Sequence, residues 1–430
     1  MSPAFSSLRI RNYRLFAAGQ LVSLTGTWMQ RVAQDWLVLR LSHDSGVALG
    51  ITTGLQFLPM LLFGLYGGVL ADRYPKLRLL VVAQVAMGLL ALLLGVLDIT
   101  GVVSLWHVYV LAFGLGLASV VDTPTRQAFA VELVGKGELP NAVSLNSATF
   151  NSGRVLGPAF AGLLINAFGT GPVFLVNAAS FVAVLIGLLR IRTSELHTSK
   201  RVARAPGQLR AGLTYVRGRP ELLWPIVLVA VIGTFGLNFQ ITTALVAKLV
   251  FHRGAGSYGL LGTALALGSL IGALLAARRG VPRQRLLLGA AFAFGLLEIA
   301  VGLMPTYTSF LLLLIPTGVA VLTFTTAANA SVQLASSAAM RGRVMALYVL
   351  VFLGGTPIGA PVIGWLAETY GARWSLIGGG LISAGATLLV GWALLRARQL
   401  RVVTRLHSRP HVYVERVPAE SPALDEARSA

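Results

Sequence analysis

The chain has 430 residues, 55% of them hydrophobic and only 12% charged, with a formal charge of +20 and no cysteine. Soluble proteins average about 25% charged residues, so this composition excludes a water-soluble domain of such length, and the lack of cysteine excludes disulfide and thiolate chemistry. The positive balance does not read as a nucleic-acid surface, because the basic residues lie in short links and tails with no interleaved aromatic residues to stack bases.

Apolar blocks of about 20 residues, the length that crosses a bilayer as a helix, predict twelve spans. They lie at roughly 15–40, 49–70, 78–97, 105–124, 142–167, 171–189, 222–246, 257–277, 285–304, 309–334, 343–367 and 372–395. The start, MSPAFSSLRIRNYRLF, has no short apolar region with a small-residue cleavage site and is expected to be retained. Links on the side of the N terminus hold Arg73, Lys76 and Arg78, then Arg126 and Lys136, then Arg278, Arg279, Arg283 and Arg285, then Arg341 and Arg343. Opposite links are nearly bare apart from Lys248, Arg253 and Arg373. The excess of Lys and Arg marks the cytoplasmic side, so both termini are expected there.

The first span is the most polar. Arg31 stands near its middle and Asp35 one turn later on the same face, with Trp28, Gln30 and Gln34 close by. A charge in hydrocarbon costs several kcal/mol unless it faces a partner or an aqueous path. Both charges are therefore expected to line the interior, where they could pair with each other, either as substrate or coupling groups or as an ion pair that only fixes packing. Between the second and third spans, GGVLADRYPKLRL puts Asp72 at a helix C-terminus, where the macrodipole disfavours an anion. Arg73 and Arg78 are in reach as compensation, and Gly68 would admit a neighbouring helix closely. A latch accounts for all these charges; a bare positive-inside hairpin does not require the acid.

Asp122 and Arg126 flank Pro124 at the cytoplasmic end of span four. In span five, Arg154 precedes Gly157, Pro158 and Gly162, small residues and a proline that permit close contact and a kink, either a pivot or a static bend. Asn151, Asn238 and Gln240 are further candidates for lining a substrate cavity, or are interhelical glue; Phe57, Phe235, Phe239 and Trp36 would suit an apolar ligand. Glu298, a lone acid in span nine, is a candidate proton site. The segment 190–221 is basic and is expected to lie against anionic headgroups, with an amphipathic helix within Ala203 to Val216. The tail past Arg396 is expected to hang loose.

Gly157, Gly162 and Gly169 recur as Gly359, Gly364 and Gly371, each 202 residues later, and Gly64 and Gly68 recur as Gly268 and Gly272. The offsets predict an all-α membrane protein of two pseudo-symmetric six-helix bundles, 1–189 and 222–396, with a linker at 190–221 and a cytoplasmic tail at 397–430.

Gly68, Asp72, Arg73 and the basic residues after them resemble the signature between the second and third helices of the major facilitator superfamily. Its usual glycine and paired basic residues are here Pro75, Lys76 and Leu77, with Arg78 following. The opening LRIRNYRLFAAGQLVSLTGTWMQRVAQDWLVLRLS and the segment DTPTRQAFAVELVGKGELPNAVSLNSATFNSGRVLGPAFAGLL resemble the branch that contains enterobactin and predicted drug exporters. The resemblance implies the major facilitator fold, with Asp122 and Arg126 at a cytoplasmic gate, and efflux through the helix-five signature. It also implies a monomeric secondary transporter of a bacterial inner or plasma membrane. Such a protein would export a drug, siderophore or secondary metabolite by alternating access in exchange for protons. A proton-coupled nutrient importer and a non-transporting sensor or scaffold are the alternatives. No Walker loop, metal-ligand spacing or nucleophile with base appears, so neither ATP, metal, cofactor nor enzyme activity is expected.

Overall fold

The computed structural model describes residues 3–197, 208–279, 284–397, 400–405 and 411–416. Lys200, Arg201, Arg204 and Arg283, the start of the expected amphipathic helix at Ala203, and tail residues 417–430 lie outside them. The described residues form fourteen α-helices: α1 Arg11–Leu41, α2 Gly46–Arg73, α3 Lys76–Ile99, α4 Leu105–Phe168, α5 Thr170–Leu189, α6 Gln208–Arg217, α7 Pro220–Phe235, α8 Phe239–Leu245, α9 Ala255–Ala277, α10 Gln284–Leu303, α11 Tyr307–Ala335, α12 Arg341–Gly354, α13 Thr356–Tyr370 and α14 Ala372–Ala397. The tail is not loose throughout: Leu400–Arg405 and His411–Arg416 pair as antiparallel strands β1 and β2. Arginine alternating with apolar residues there is a strand period.

Ten helical segments among the described residues are long and apolar enough to cross a membrane by length and composition. Two expected spans, 15–40 and 142–167, are missing from that set. Each is helical, within α1 and the later part of α4, but polar side chains such as Gln30, Arg31, Gln34 and Asp35, or Asn146, Asn151 and Arg154, lower its mean hydropathy. These two segments pack on one another: Gly153 sits against Leu24 and Thr25, and Gly157 against Trp28 and Met29. These two polar helical segments thus cover part of each other's surface.

Three expected boundaries also differ. Spans four and five run on as one helical stretch of 64 residues that turns at Gly135, whose φ of 70° and ψ of −177° suit glycine almost alone. Span seven breaks after Phe235, where the Asn238 side chain donates to the Thr234 carbonyl at 2.7 Å, and resumes as α8 and a π turn, Val246–Val250. Span eleven divides into α12 and α13 around Gly355, two residues before Pro357, which cannot donate the next helical hydrogen bond.

Large apolar side chains face outward along the helices, among them Val82, Leu89, Leu163, Leu189, Leu274 and Leu389, each 60% exposed or more. In water such a surface would be untenable; against hydrocarbon it is matched. Trp106, Trp365, Tyr370 and Trp374 are exposed at one end of the bundle, as interfacial aromatic residues are. The chain is an all-α, multi-pass membrane protein. Inside, small residues set the helix crossings. A Cβ at Gly268 would fall on the Ile315 carbonyl and one at Gly318 on the Leu265 carbonyl, so α9 and α11 approach backbone to backbone.

Candidate functional site

Asp35 is buried, and its Oδ2 accepts a hydrogen bond of 2.6 Å from the Tyr258 hydroxyl of α9. The same hydroxyl lies 3.3 Å from the Gln240 carbonyl. Trp36 stacks on the Tyr258 ring at 6.4 Å and 20°, and Lys248 stands 5.3 Å from the Trp36 ring while pairing with Asp44. Of the alternatives open for Arg31 and Asp35, the direct ion pair does not form. Arg31 lies 4.6 Å over the Trp28 ring and 5.7 Å from Phe57, and its Nε is buried with no hydrogen-bond partner. The acid has turned to a phenol on another helix, whose short hydrogen bond competes with the charge one turn away. Arg154 reaches the same indole from α4, at 5.9 Å. Gln34 donates to Gln56 at 3.3 Å, and Gln30 accepts from Asn177 at 2.5 Å, so the amides of α1 hold α2 and α5.

The other expected cavity residues are not gathered here by hydrogen bonds. Asn151 donates to Ser147 on its own helix, and Asn238 closes the end of α7. Glu298 is buried on α10 beside Gly379, its Oε2 unpartnered, and it makes no ion pair among the described residues. Neither Tyr258 nor Glu368 was singled out from sequence. A tyrosine in an apolar helix carries no periodic signal, whereas Glu368, the last acid before the Gly371 link, was a visible clue.

At the end of the bundle where α1 begins, Asp122 accepts from Gln84 at 2.7 Å and pairs with Arg126, which donates to Gln20 at 2.7 Å. One carboxylate thereby joins α1, α3 and α4. Lys76 pairs with Glu132 at 2.6 Å, and the Glu138 carboxylate accepts from Ser6 at 2.5 Å. Arg73 and Arg78 are exposed, and Asp72 is half-buried. Gly68 is half-buried too; the glycine seated on the α4 backbone, against Val120, is its neighbour Gly67. Changing Asp122 to alanine is expected to cost about 3–5 kcal/mol, because it leaves the Arg126 cation partly buried and unpaired. Thermal unfolding in detergent checks this, and the double change Asp122→Leu with Arg126→Met should recover much of the loss.

At the opposite end, Glu368 of α13 accepts from Ser45 Oγ at 2.7 Å and from the Val47 amide at 3.0 Å, so it caps the positive N-terminus of α2. Gly46 and Gly364 meet backbone to backbone, as do Gly50 and Ala360. Along α4, Pro158 lies against Gly259 and Gly162 against Gly256, while Val155 accepts from Thr263 at 3.2 Å. The contacts of α2 with α13 and α4 with α9 join residues before 190 to residues after 221.

Buried charges thus lie between helices of a multi-pass chain. A family model described as "Transmembrane secretion effector" matches residues 2–426, and the chain belongs to that family of major facilitator transporters. It is 26% identical to the enterobactin exporter EntS of Shigella boydii over 400 residues, 90% of this chain and 93% of that one. It is also 26% identical to the staphyloferrin A transporter of Staphylococcus aureus over 61% of this chain. The matched stretch spans 66% of that relative and 51% of the uncharacterized MFS-type transporter YfiS of Bacillus subtilis, which is 27% identical. The fold matches a bacterial homologue of the human lysosomal transporter Spinster, in an inward-facing and occupied conformation, with TM-score 0.68 and 16% identity, covering 92% of this chain and 98% of that one. It matches a bacterial homologue of the iron transporter ferroportin with TM-score 0.66 and 18% identity, over 90% and 98%. The chain is a member of the major facilitator transporters, distantly related to the enterobactin exporter.

Proposed function

We propose that the chain exports a small amphipathic compound, a drug, siderophore or secondary metabolite, by alternating access in exchange for protons. In this reading α1 and the later part of α4 complete twelve spans, arranged as two six-helix units at 1–189 and 222–396. The basic link at 190–221 and the tail at 397–430 lie on the cytoplasmic side of a bacterial plasma membrane, the link against anionic lipid, and the protein works as a monomer.

The observation that carries the reading is the hydrogen bond from Tyr258 to Asp35 between helices of the two units. A carboxyl at such a junction ties proton binding to separation of the units: protonation converts an acceptor of the phenol's hydrogen into a group with a proton of its own, and changes what holds that side closed. Glu368 on the α2 N-terminus and the Gly46–Gly364 contact would open in the same movement, while Asp122, Arg126 and the Asp72–Arg73 segment steady the cytoplasmic side. Arg154, Gly157, Pro158 and Gly162 support a pivot in this scheme, since they bear on α1 and α9 together. Glu298, buried without an ion pair, is the second candidate for the proton.

Everted membrane vesicles test the direction and the coupling. Uptake of labelled compounds driven by an inside-acid gradient, and lost on adding an uncoupler, is the expected result. Uptake indifferent to both would remove proton coupling, and gradient-driven loss from the vesicles would favour import.

A further inference from the structure

From the Trp28 indole and its two cations we infer that the transported compound is an organic anion, recognised through a carboxylate held between Arg31 and Arg154. This rests on the transport reading above and adds the charge of the cargo. Both guanidiniums address one indole, 4.6 and 5.9 Å from its centroid, from two different helices. Among the described residues neither makes a hydrogen bond or ion pair, and the Arg31 Nε is buried with nothing to accept from it. The contacts shown around the cluster are aromatic: Phe57 of α2 lies 5.7 Å from Arg31 and Phe150 of α4 lies edge-on to Trp28. Asp35, the acid one turn along α1, is engaged by Tyr258. Two positive charges therefore face one negative.

Cation–π contact returns only part of what removing an ion from water costs. The indole alone does not balance two guanidiniums. Arg31, Trp28 and Arg154 are each partly exposed, and charges within a span are expected to face an aqueous path rather than lipid, which is the access the inference requires. Planar guanidiniums match a carboxylate through paired N–H donors. The edge-on ring of Phe150, 5.9 Å from Trp28, and Phe57 give the apolar part of the anion a surface beside the charges.

The probe is naphthalene-2-carboxylate, titrated calorimetrically into the purified chain in nanodiscs, beside the neutral naphthalene-2-carboxamide, 2-naphthylmethylammonium and inorganic phosphate. The expected result is carboxylate binding at least tenfold tighter than the carboxamide, no binding of the ammonium, and weaker binding of phosphate. Arg31→Gln and Arg154→Gln should each weaken the carboxylate at least tenfold, and Arg154→Lys less. Equal affinity for carboxylate and carboxamide overturns the inference, as does absence of carboxylate binding by the folded wild type; phosphate as the tighter ligand overturns the organic part. Because the wild type is compared across probes, a misfolded variant does not decide the matter. Exchange of labelled probe across liposomes separates the two readings. Carboxylate binding without exchange leaves the anion site standing and removes transport of it, and exchange of a neutral compound with no carboxylate binding does the reverse.

Discussion

Replacing Asp35 by asparagine is expected to reduce gradient-driven transport by more than about tenfold, to the level of empty vesicles, while exchange of substrate between the two sides continues. A tenfold loss corresponds to about 1.4 kcal/mol at the coupled step. Asparagine keeps an oxygen that accepts from Tyr258 and cannot exchange a proton, so it removes the chemistry and leaves the 2.6 Å contact nearly in place. Tyr258→Phe does the converse. It strips the donor from a buried carboxyl, at a cost of about 1–3 kcal/mol, and should shift the balance between the two sides while the response to a pH gradient persists. The two changes act through one hydrogen bond, so the double variant should fall short of the sum of the singles. If the asparagine variant transports with an undiminished response to the gradient, the proton is carried elsewhere, and Glu298 becomes the residue to change.

Gly364→Leu is expected to open the end of the bundle that carries Glu368. The glycine lies against the backbone of Gly46, and a Cβ there would overlap the Gly46 carbonyl. Leucine must push α2 from α13, and overpacking of this kind costs about 1–3 kcal/mol. Levied on the closed form alone, that penalty shifts the equilibrium roughly 5- to 150-fold toward the open one. The chain has no cysteine, so a single cysteine in place of Leu49, fully buried beside this contact, reports the change without background. A water-soluble maleimide should label it at least about fivefold faster in the Gly364→Leu background. An unchanged rate with thermal stability intact would mean that the α2–α13 contact does not separate in the working cycle.

Much of this was written in local patterns. Arg31 and Asp35 are legible because a helix period puts two charges on one face of a segment otherwise bound for hydrocarbon, where each must find a reason to be. The glycines of the 202-residue repeat are legible because close crossings need small residues. The same patterns mislead by one position: Gly68 and Gly67 are equal in sequence, and only the rotation of α2 against α4 puts Gly67 on Val120. Spans four and five looked separate, because a stretch of polar residues between apolar blocks reads as a link, yet a helix continues through it to the turn at Gly135.

By itself, then, the sequence determined the solvent this chain folds for, the places where it is helical, and the unusual polarity of two of its helices, because those depend on composition and short-range periodicity. The tertiary structure alone decided the partners. Asp35 meets Tyr258 across 223 positions and Glu368 meets Ser45 across 323. Side chains so distant are brought together by how whole helices cross, which depends on the summed packing of many small surfaces rather than on any signal near either residue.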